Sequence, residues 1–174
     1  MITVIAYIFG IGAMIALFSI YQQSSRKKLL ISKLITDVCW VVHYLCLGAY
    51  GGAIPNFVGI FRELVFVNRE TKKWANYPVW PVIFILTNLA LGLRTFSSPI
   101  NLLPILGSAF ITVALWLKKP ILTKIMSFPV SSAFLIYDIF VGSWIGVISE
   151  SVSLISIIIS LLKIAKEKFS NGKC

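Results

Sequence analysis

Apolar runs of similar length, separated by short polar gaps, make up almost the whole chain. They divide it into seven segments, 2–21, 31–48, 51–67, 78–94, 99–117, 121–141 and 144–162. A helix needs about 20 apolar residues to cross a bilayer, with a working range of about 17 to 25. Only helices satisfy their own backbone hydrogen bonds inside hydrocarbon. Each segment is therefore expected to be a transmembrane helix, and the short gaps make sequential helices antiparallel neighbours. The longest gap, Asn68 to Tyr77, is too short to hold a nucleotide-hydrolysing module.

The gaps alternate in charge. Arg26, Lys27 and Lys28 fall in one, with Lys33 just inside the next segment; then Arg69, Lys72 and Lys73, with Arg62 just before them; then Lys118 and Lys119, with Lys124 just after; then Lys163, Lys166, Lys168 and Lys173. The gaps between these clusters hold Arg94 as their one basic residue. Lys and Arg accumulate in cytoplasmic loops. The expected topology thus has the N-terminus outside, the C-terminus in the cytoplasm and an odd number of spans, in a bacterial inner (plasma) membrane. A formal charge of +10 would ordinarily raise nucleic acid as a partner. Here the topology and anionic lipid account for it, so the bilayer is the expected partner and nucleic acid is not.

Composition agrees. Hydrophobic residues are 58% of the chain and charged residues 13%, against about 25% charged in an average soluble domain. A mean hydropathy of +0.91 leaves too little polar surface for a water-soluble globule. The first apolar run begins without a basic leader region, so it is expected to be kept as an anchor. Cys39, Cys46 and Cys174 have no metal-ligand spacing, and the first two are expected to pack as small apolar residues. No metal and no cofactor is expected. Gly-rich phosphate loops and catalytic constellations are missing, so an enzyme is not expected either.

An internal repeat emerges when the chain is shifted by 94 residues. Trp40 then meets Phe134, Gly48 meets Gly142, Gly52 meets Gly146 and Asn56 meets Glu150, while His43 and Tyr44 fall on Tyr137 and Asp138. Both copies start on the same side of the membrane. The expected fold is all-α, with two parallel three-helix repeats, 2–67 and 99–162, joined by a linker helix 78–94 and followed by a basic tail 163–174. Parallel repeats of this kind are a transporter architecture, with sites near the midplane between the halves.

The 3+1+3 plan resembles the SWEET, SemiSWEET and PQ-loop group of small-solute transporters. More closely, the stretch Lys33, Leu34, Ile35, Thr36 and Asp37 through Trp40, with His43, Tyr44, Gly51, Gly52, Ala53, Asn56 and Arg62, resembles the YgjV-like bacterial inner-membrane family. That resemblance covers nearly the whole chain and implies fold and localisation more than activity. The chain departs from the sugar facilitators in lacking a Pro-Gln pair at the inner end of the first span. Gln22 and Gln23 stand there without proline, and Pro104 and Pro129 occur only in the second copy.

Ionisable residues inside a membrane cost about 2.5 kcal/mol or more at the helix centre and are functional candidates by default. Lys33, Asp37, Trp40, Tyr44 and Gly48 recur at helical spacing on one face, as do Ser127, Ser131, Phe134, Asp138 and Gly142. The polar stripes Gly52, Asn56, Gly59, Glu63 and Gly146, Glu150, Ser153 follow them. Converging, these would line one cleft. Trp40, Tyr44, Asn56, Asp138 and Glu150 are the candidate solute-binding residues. An indole stacks on flat or sugar-like rings, and a buried amide must find a hydrogen bond. In the SWEET-like group an asparagine on the third helix of a repeat holds substrate, which implies that role for Asn56. Asp138 and Glu150, expected about 6 to 9 Å below the outer surface, and the lone His43 are the candidates for proton coupling. His43 lies about 100° from the Asp37–Tyr44 face, so it is also a candidate for packing against a neighbour. Lys33 with Asp37, and Arg62 with Glu63, are expected as ion pairs of an inner gate.

Two functions fit. One is a SWEET-like facilitator or proton-coupled transporter of a small polar or cationic solute, with a central cavity lined by Trp40, Asn56, Asp138 and Glu150. The other is a non-transporting accessory, scaffold or sensor with a filled centre. The oligomeric state is left open by the sequence.

Overall fold

The computed structural model describes residues 2–20, 26–118 and 120–171. Gln22, Gln23, Lys119, Lys173 and Cys174 lie outside the described residues. The fold is all-helical: α1 (Ile2–Ile20), α2 (Arg26–Cys46), α3 (Tyr50–Asn68), α4 (Val79–Arg94), α5 (Leu102–Leu117), α6 (Pro120–Val141) and α7 (Trp144–Asn171). Single 3₁₀ turns over Lys73–Asn76 and Pro99–Asn101 lead into α4 and α5.

Each of the seven apolar segments is a helix. Five, α1, α2, α5 with its leading turn, α6 and α7, are both long and apolar enough to cross a membrane. The remaining two differ for separate reasons. α3 has 19 residues, sufficient length, but carries Asn56, Arg62 and Glu63. α4 is apolar but has only 16 residues. α2 begins at Arg26, five residues before the apolar run at 31, and α7 runs on to Asn171, so most of the expected tail is helical.

Polarity is distributed inside out. Ile2, Ile8, Ile15, Phe140 and Leu162 point outward with more than half their surface exposed, whereas Asp37, Arg62, Glu63, Asn88 and Asp138 are buried. Charged residues are almost never fully buried unless paired, and large exposed apolar areas mark an apolar partner. Lipid is the solvent for that exterior.

Consecutive helices pack as antiparallel neighbours: α2 lies between α1 and α3, and α6 between α5 and α7. Contacts of α3 with α5, and of α1 with α7, join the two triplets into a ring, with α4 outside against α3 and α5. One end of the ring gathers Arg26, Arg69 and Lys118 around Glu70 and the last turn of α5. Arg26 donates to the Leu115 carbonyl at 2.8 Å, Lys118 to Glu70 at 2.9 Å, and Arg69 to the Trp116 carbonyl while lying over its ring. This is the basic end.

The opposite end is made by two tight turns. Gly48 and Gly142 adopt φ of 67° and 71°, the left-handed region that glycine enters without penalty. Beyond them Ala49 N–H donates back to the Tyr44 carbonyl, and Ser143 N–H to that of Asp138, each at 2.9 Å. These six-to-one bonds end α2 and α6 and reverse the chain into α3 and α7.

Candidate functional site

The ring encloses a cavity of about 710 Å³. Drug-sized and cofactor-sized ligands occupy pockets of about 300–1,000 Å³, so there is room for a small molecule. Arg26, Glu70, Lys118 and Lys124 stand at its basic mouth, and Tyr44 lies at its far limit. Glu70 and Lys118 have side chains 60% and 36% exposed, so the mouth is open to solvent. There the bonded Lys118 ammonium holds the Glu70 carboxyl below its ordinary value.

Both triplets contribute to the wall. α2 and α3 supply Lys33, Asp37, Trp40, Pro55, Asn56 and Arg62, while α6 and α7 supply Ser127, Ser131, Phe134, Glu150 and Ser153. Asn56 and Glu150 are each six residues into their helices, which puts both about 9 Å from the turn end. Asn56 Nδ2 donates to the Gly52 carbonyl at 2.8 Å. That bond spends the amide nitrogen on its own helix, one turn back. Ser131 donates to the Glu150 carboxylate. Trp40 stacks on Tyr44 with centroids 5.5 Å apart and planes 25° apart, which fixes the indole at the cavity's inner limit.

Beyond Tyr44 the helices close on one another. Tyr44 Oη donates to Asp138 Oδ1 at 2.8 Å, from α2 to α6. The Gly52 N–H donates to Tyr137 Oη at 2.9 Å, from α3 to α6. His43 is sandwiched between the Ala6 carbonyl at 2.7 Å from Nδ1 and Ser143 Oγ at 2.8 Å from Nε2. All of these side chains are buried, so the turn end is sealed by a polar network.

The structure corrects one expectation here. Asp138 was expected to line the cavity with Glu150, but it is fully buried behind Tyr44, and its carboxylate fills the space where Gly146 lacks a side chain. Position 138 is one helical turn beyond Phe134, which places it in the seal. His43 likewise faces α1 and the α6–α7 turn, as its angular offset from Asp37 and Tyr44 predicts.

The four expected gate residues form one network in the wall. Lys33 Nζ donates to Asp37 Oδ1 at 2.8 Å, and the Arg62 guanidinium lies 3.8 Å from Asp37 Oδ2 and 2.9 Å from Glu63 Oε1. Arg62 also donates to Thr112 Oγ1 at 2.9 Å and Ser108 Oγ at 3.4 Å on α5. Glu63, next to Arg62 in sequence and turned about 100° from it, is buried away from the cavity surface. Gly59 lets Asp37 come close, since a Cβ there would stand 2.5 Å from Oδ2. Ser108 and Thr112 escaped the sequence reading, although two hydroxyls one turn apart in an otherwise apolar helix are a visible signal. Thr36, which also lines the cavity, was missed because its place in the α2 stripe is one position from Asp37. Among the described residues no cluster of His, Cys, Asp and Glu is arranged to hold a metal.

An apolar exterior, a buried polar interior and a cavity within a helical ring define a multi-pass helical membrane protein. The chain belongs to the Imp-YgjV family, described as bacterial inner membrane proteins, whose family model matches residues 4–168. It is 25% identical over 147 residues to the inner membrane protein YgjV of Escherichia coli (strain K12), covering 84% of this chain and 73% of that protein. No solved structure matches it. Its location is therefore the inner membrane.

Proposed function

We propose that this protein is a small transporter of SWEET-like plan that moves a small polar or cationic solute by rocking two triple-helix bundles. The carrying observation is the cavity itself, open at the basic end, sealed at the turn end and walled by both triplets. Placing the basic end in the cytoplasm makes the structure inward-facing, with the N-terminus outside and the C-terminus inside. α1–α3 and α5–α7 are read as parallel repeats with α4 as the linker. Several contacts support that reading. Tyr44 bonds Asp138, the residue 94 positions away at its own repeat position. His43 reaches the start of α7, and Tyr137, its counterpart, reaches the start of α3. Gly48 and Gly142 make the same left-handed turn.

In this cycle Trp40, Asn56, Tyr44 and Glu150 contact the solute. Tyr44, Asp138 and His43 belong to the outer seal, and Asp138 and His43, with Glu150 in the cavity wall, are read as the groups that take up a proton as it opens. Lys33, Asp37, Arg62 and Glu63 form the charged wall that a closing inner gate would engage. The cavity supports this reading over the alternative of a non-transporting accessory, scaffold or sensor, for which a filled centre is expected.

The test is thermal stabilisation of the purified protein by sugars, nucleosides, vitamins, amines and amino acids, at mildly acidic and at neutral pH. A ligand that binds only the folded state raises the melting temperature with concentration. The expected result is a specific hit that Asn56→Ala or Glu150→Ala abolishes. Silence across the panel at both pH values transfers the weight to the accessory reading.

A further inference from the structure

Cations outnumber acids in the cavity wall. Arg26, Lys33, Arg62, Lys118 and Lys124 line it against Asp37, Glu70 and Glu150. Deep in the cavity the charges are matched. Lys33 and Arg62 pair with Asp37, Arg62 also pairs with Glu63 behind the wall, and Lys33 faces Glu150. The excess stands at the mouth. There Arg26 at the start of α2, Lys118 at the end of α5 and Lys124 near the start of α6 have Glu70 as the one acid lining the cavity beside them. Retention of positive charge in the cytoplasm places Lys and Arg at this end but not on a cavity rim. Lys27, Lys28, Lys72 and Lys73 lie at the same end, and none of them lines the cavity.

The rim cations also have capacity to spare. Lys124 donates to the neutral Ser160 hydroxyl at 2.7 Å and, among the described residues, pairs with no acid. The Arg26 Nε is buried and donates to no acceptor, with the Glu70 carboxylate 4.0 Å away. Lys118 bonds Glu70 at 2.9 Å, but the Glu70 side chain is 60% exposed, and an exposed ion pair contributes little. Glu70 is thus a displaceable carboxylate of the chain's own, resting between Arg26 and Lys118. Inward from this rim the wall carries the neutral hydroxyls of Thr123, Ser127 and Ser131, which keep acceptor lone pairs for a polar ligand.

We propose that the mouth is a docking site for the acid group, carboxylate or phosphate, of a small polar solute. Arg26, Lys118 and Lys124 hold that group, and Glu70 turns out to solvent as it arrives. The body of the solute extends inward past Ser127 and Ser131. A cleft lined by one sign of charge concentrates ligands of the other sign at its entrance. The proposal rests on reading the cavity as a solute site and narrows the solute to a polar one that bears an anionic group.

The test compares four probes built on one ring: glucose 6-phosphate, glucuronate, glucose and glucosamine. Binding to the full-length protein in phosphatidylcholine nanodiscs is followed by calorimetry and thermal shift at low salt and mildly acidic pH, which keeps the amine charged. The two acids are expected to bind at least about tenfold more tightly than glucose and glucosamine, the difference one charge-assisted hydrogen bond makes. Added salt is expected to weaken the acids and spare glucose. Lys124→Gln, which keeps a donor for Ser160, is expected to weaken the acids about tenfold. Glu70→Gln removes the competing carboxylate and is expected to strengthen them by about two- to fivefold. Lys72→Gln, an exposed charge off the rim, is expected to change nothing. If glucose or glucosamine binds the wild-type protein as well as the acids, or if Lys72→Gln matches Lys124→Gln, the anion inference is overturned and the solute site stands. Loss of acid binding when phosphatidylglycerol is added to the nanodiscs would assign the mouth to a lipid headgroup and also overturn it. If none of the four binds, the anion inference falls, and the solute reading falls with it if the wider panel is silent too. The wild-type comparison and Glu70→Gln decide the matter even where Lys124→Gln does not fold.

Discussion

Replacing Tyr44 by Phe deletes one hydroxyl and little else, which makes it a clean probe of the sealed end. The ring, its stacking on Trp40 and its edge contact with Tyr137 at 6.0 Å are retained. The bond from Oη to Asp138 Oδ1 at 2.8 Å is lost, between residues 2% and 0% exposed. Interhelical hydrogen bonds in a membrane protein average about 0.6 kcal/mol and reach about 1.7, while bonds to charged groups run about 1.5–3 kcal/mol. Full burial and a carboxylate acceptor put this bond where the two ranges meet, so Tyr44→Phe is expected to cost about 1.5–1.7 kcal/mol. Asp138→Ala removes the acceptor. In that background the hydroxyl has no carboxylate to serve, and Tyr44→Phe is expected to cost nearly nothing, which gives a coupling of similar size between the two sites. Unfolding by sodium dodecyl sulfate titration in bicelles measures all four corners of the cycle. Equal costs of Tyr44→Phe in both backgrounds would refute the assignment of this bond as the tie between α2 and α6.

Other perturbations follow from the same geometry. Gly52→Ala places a Cβ 2.8 Å from the Tyr137 ring and 3.0 Å from that of Tyr44. Both rings are held by hydrogen bonds, so overpacking is expected to cost about 1–3 kcal/mol in the same titration. A loss below about 0.5 kcal/mol would mean the rings are free to move. Arg62→Ala leaves Asp37 and Glu63 buried without their guanidinium, at an expected cost of about 3–5 kcal/mol. An Arg62→Ala protein as stable as the wild type would contradict the buried network. At the mouth, Lys118 depresses the Glu70 carboxyl. A depressed carboxyl contributes stability above its unfolded value and loses it as pH falls through its folded value. The small stability difference between wild type and Glu70→Gln should therefore be present at neutral pH and vanish as pH drops below the ordinary carboxyl range, when thermal melts are compared across pH.

Hydrophobic run length alone placed the helices, because lipid imposes one length and one backbone solution on every span. It misjudged ends where polarity continues the helix, as at Arg26 and beyond Leu162. Helical spacing put Lys33, Asp37, Trp40 and Tyr44 on one face, and all four line the cavity. Spacing cannot say how deep a face remains open, so Asp138 was expected in the cavity although it lies one turn too far along. Partners across helices were also hidden. Nothing in the sequence around His43 names Ala6 or Ser143, which lie 37 and 100 residues away. Arg62 and Glu63 read as a local pair, and their link to Asp37 and Thr112 depends on how α2, α3 and α5 pack.

The buried network in α2 and α3 has a consequence for biogenesis. α3 is long enough to cross a membrane but is not among the helices apolar enough to do so by composition, and ionisable residues within a span add to the cost of inserting it. The groups that neutralise Arg62 include Asp37, which is synthesised earlier, and the Gly48 turn folds α3 back against α2. The two helices are therefore suited to enter the bilayer as one hairpin, with the ion pair made before or during insertion. Loss of Asp37 would leave Lys33 without its acidic partner and Arg62 with Glu63 alone, so the hairpin would enter the bilayer at a higher cost.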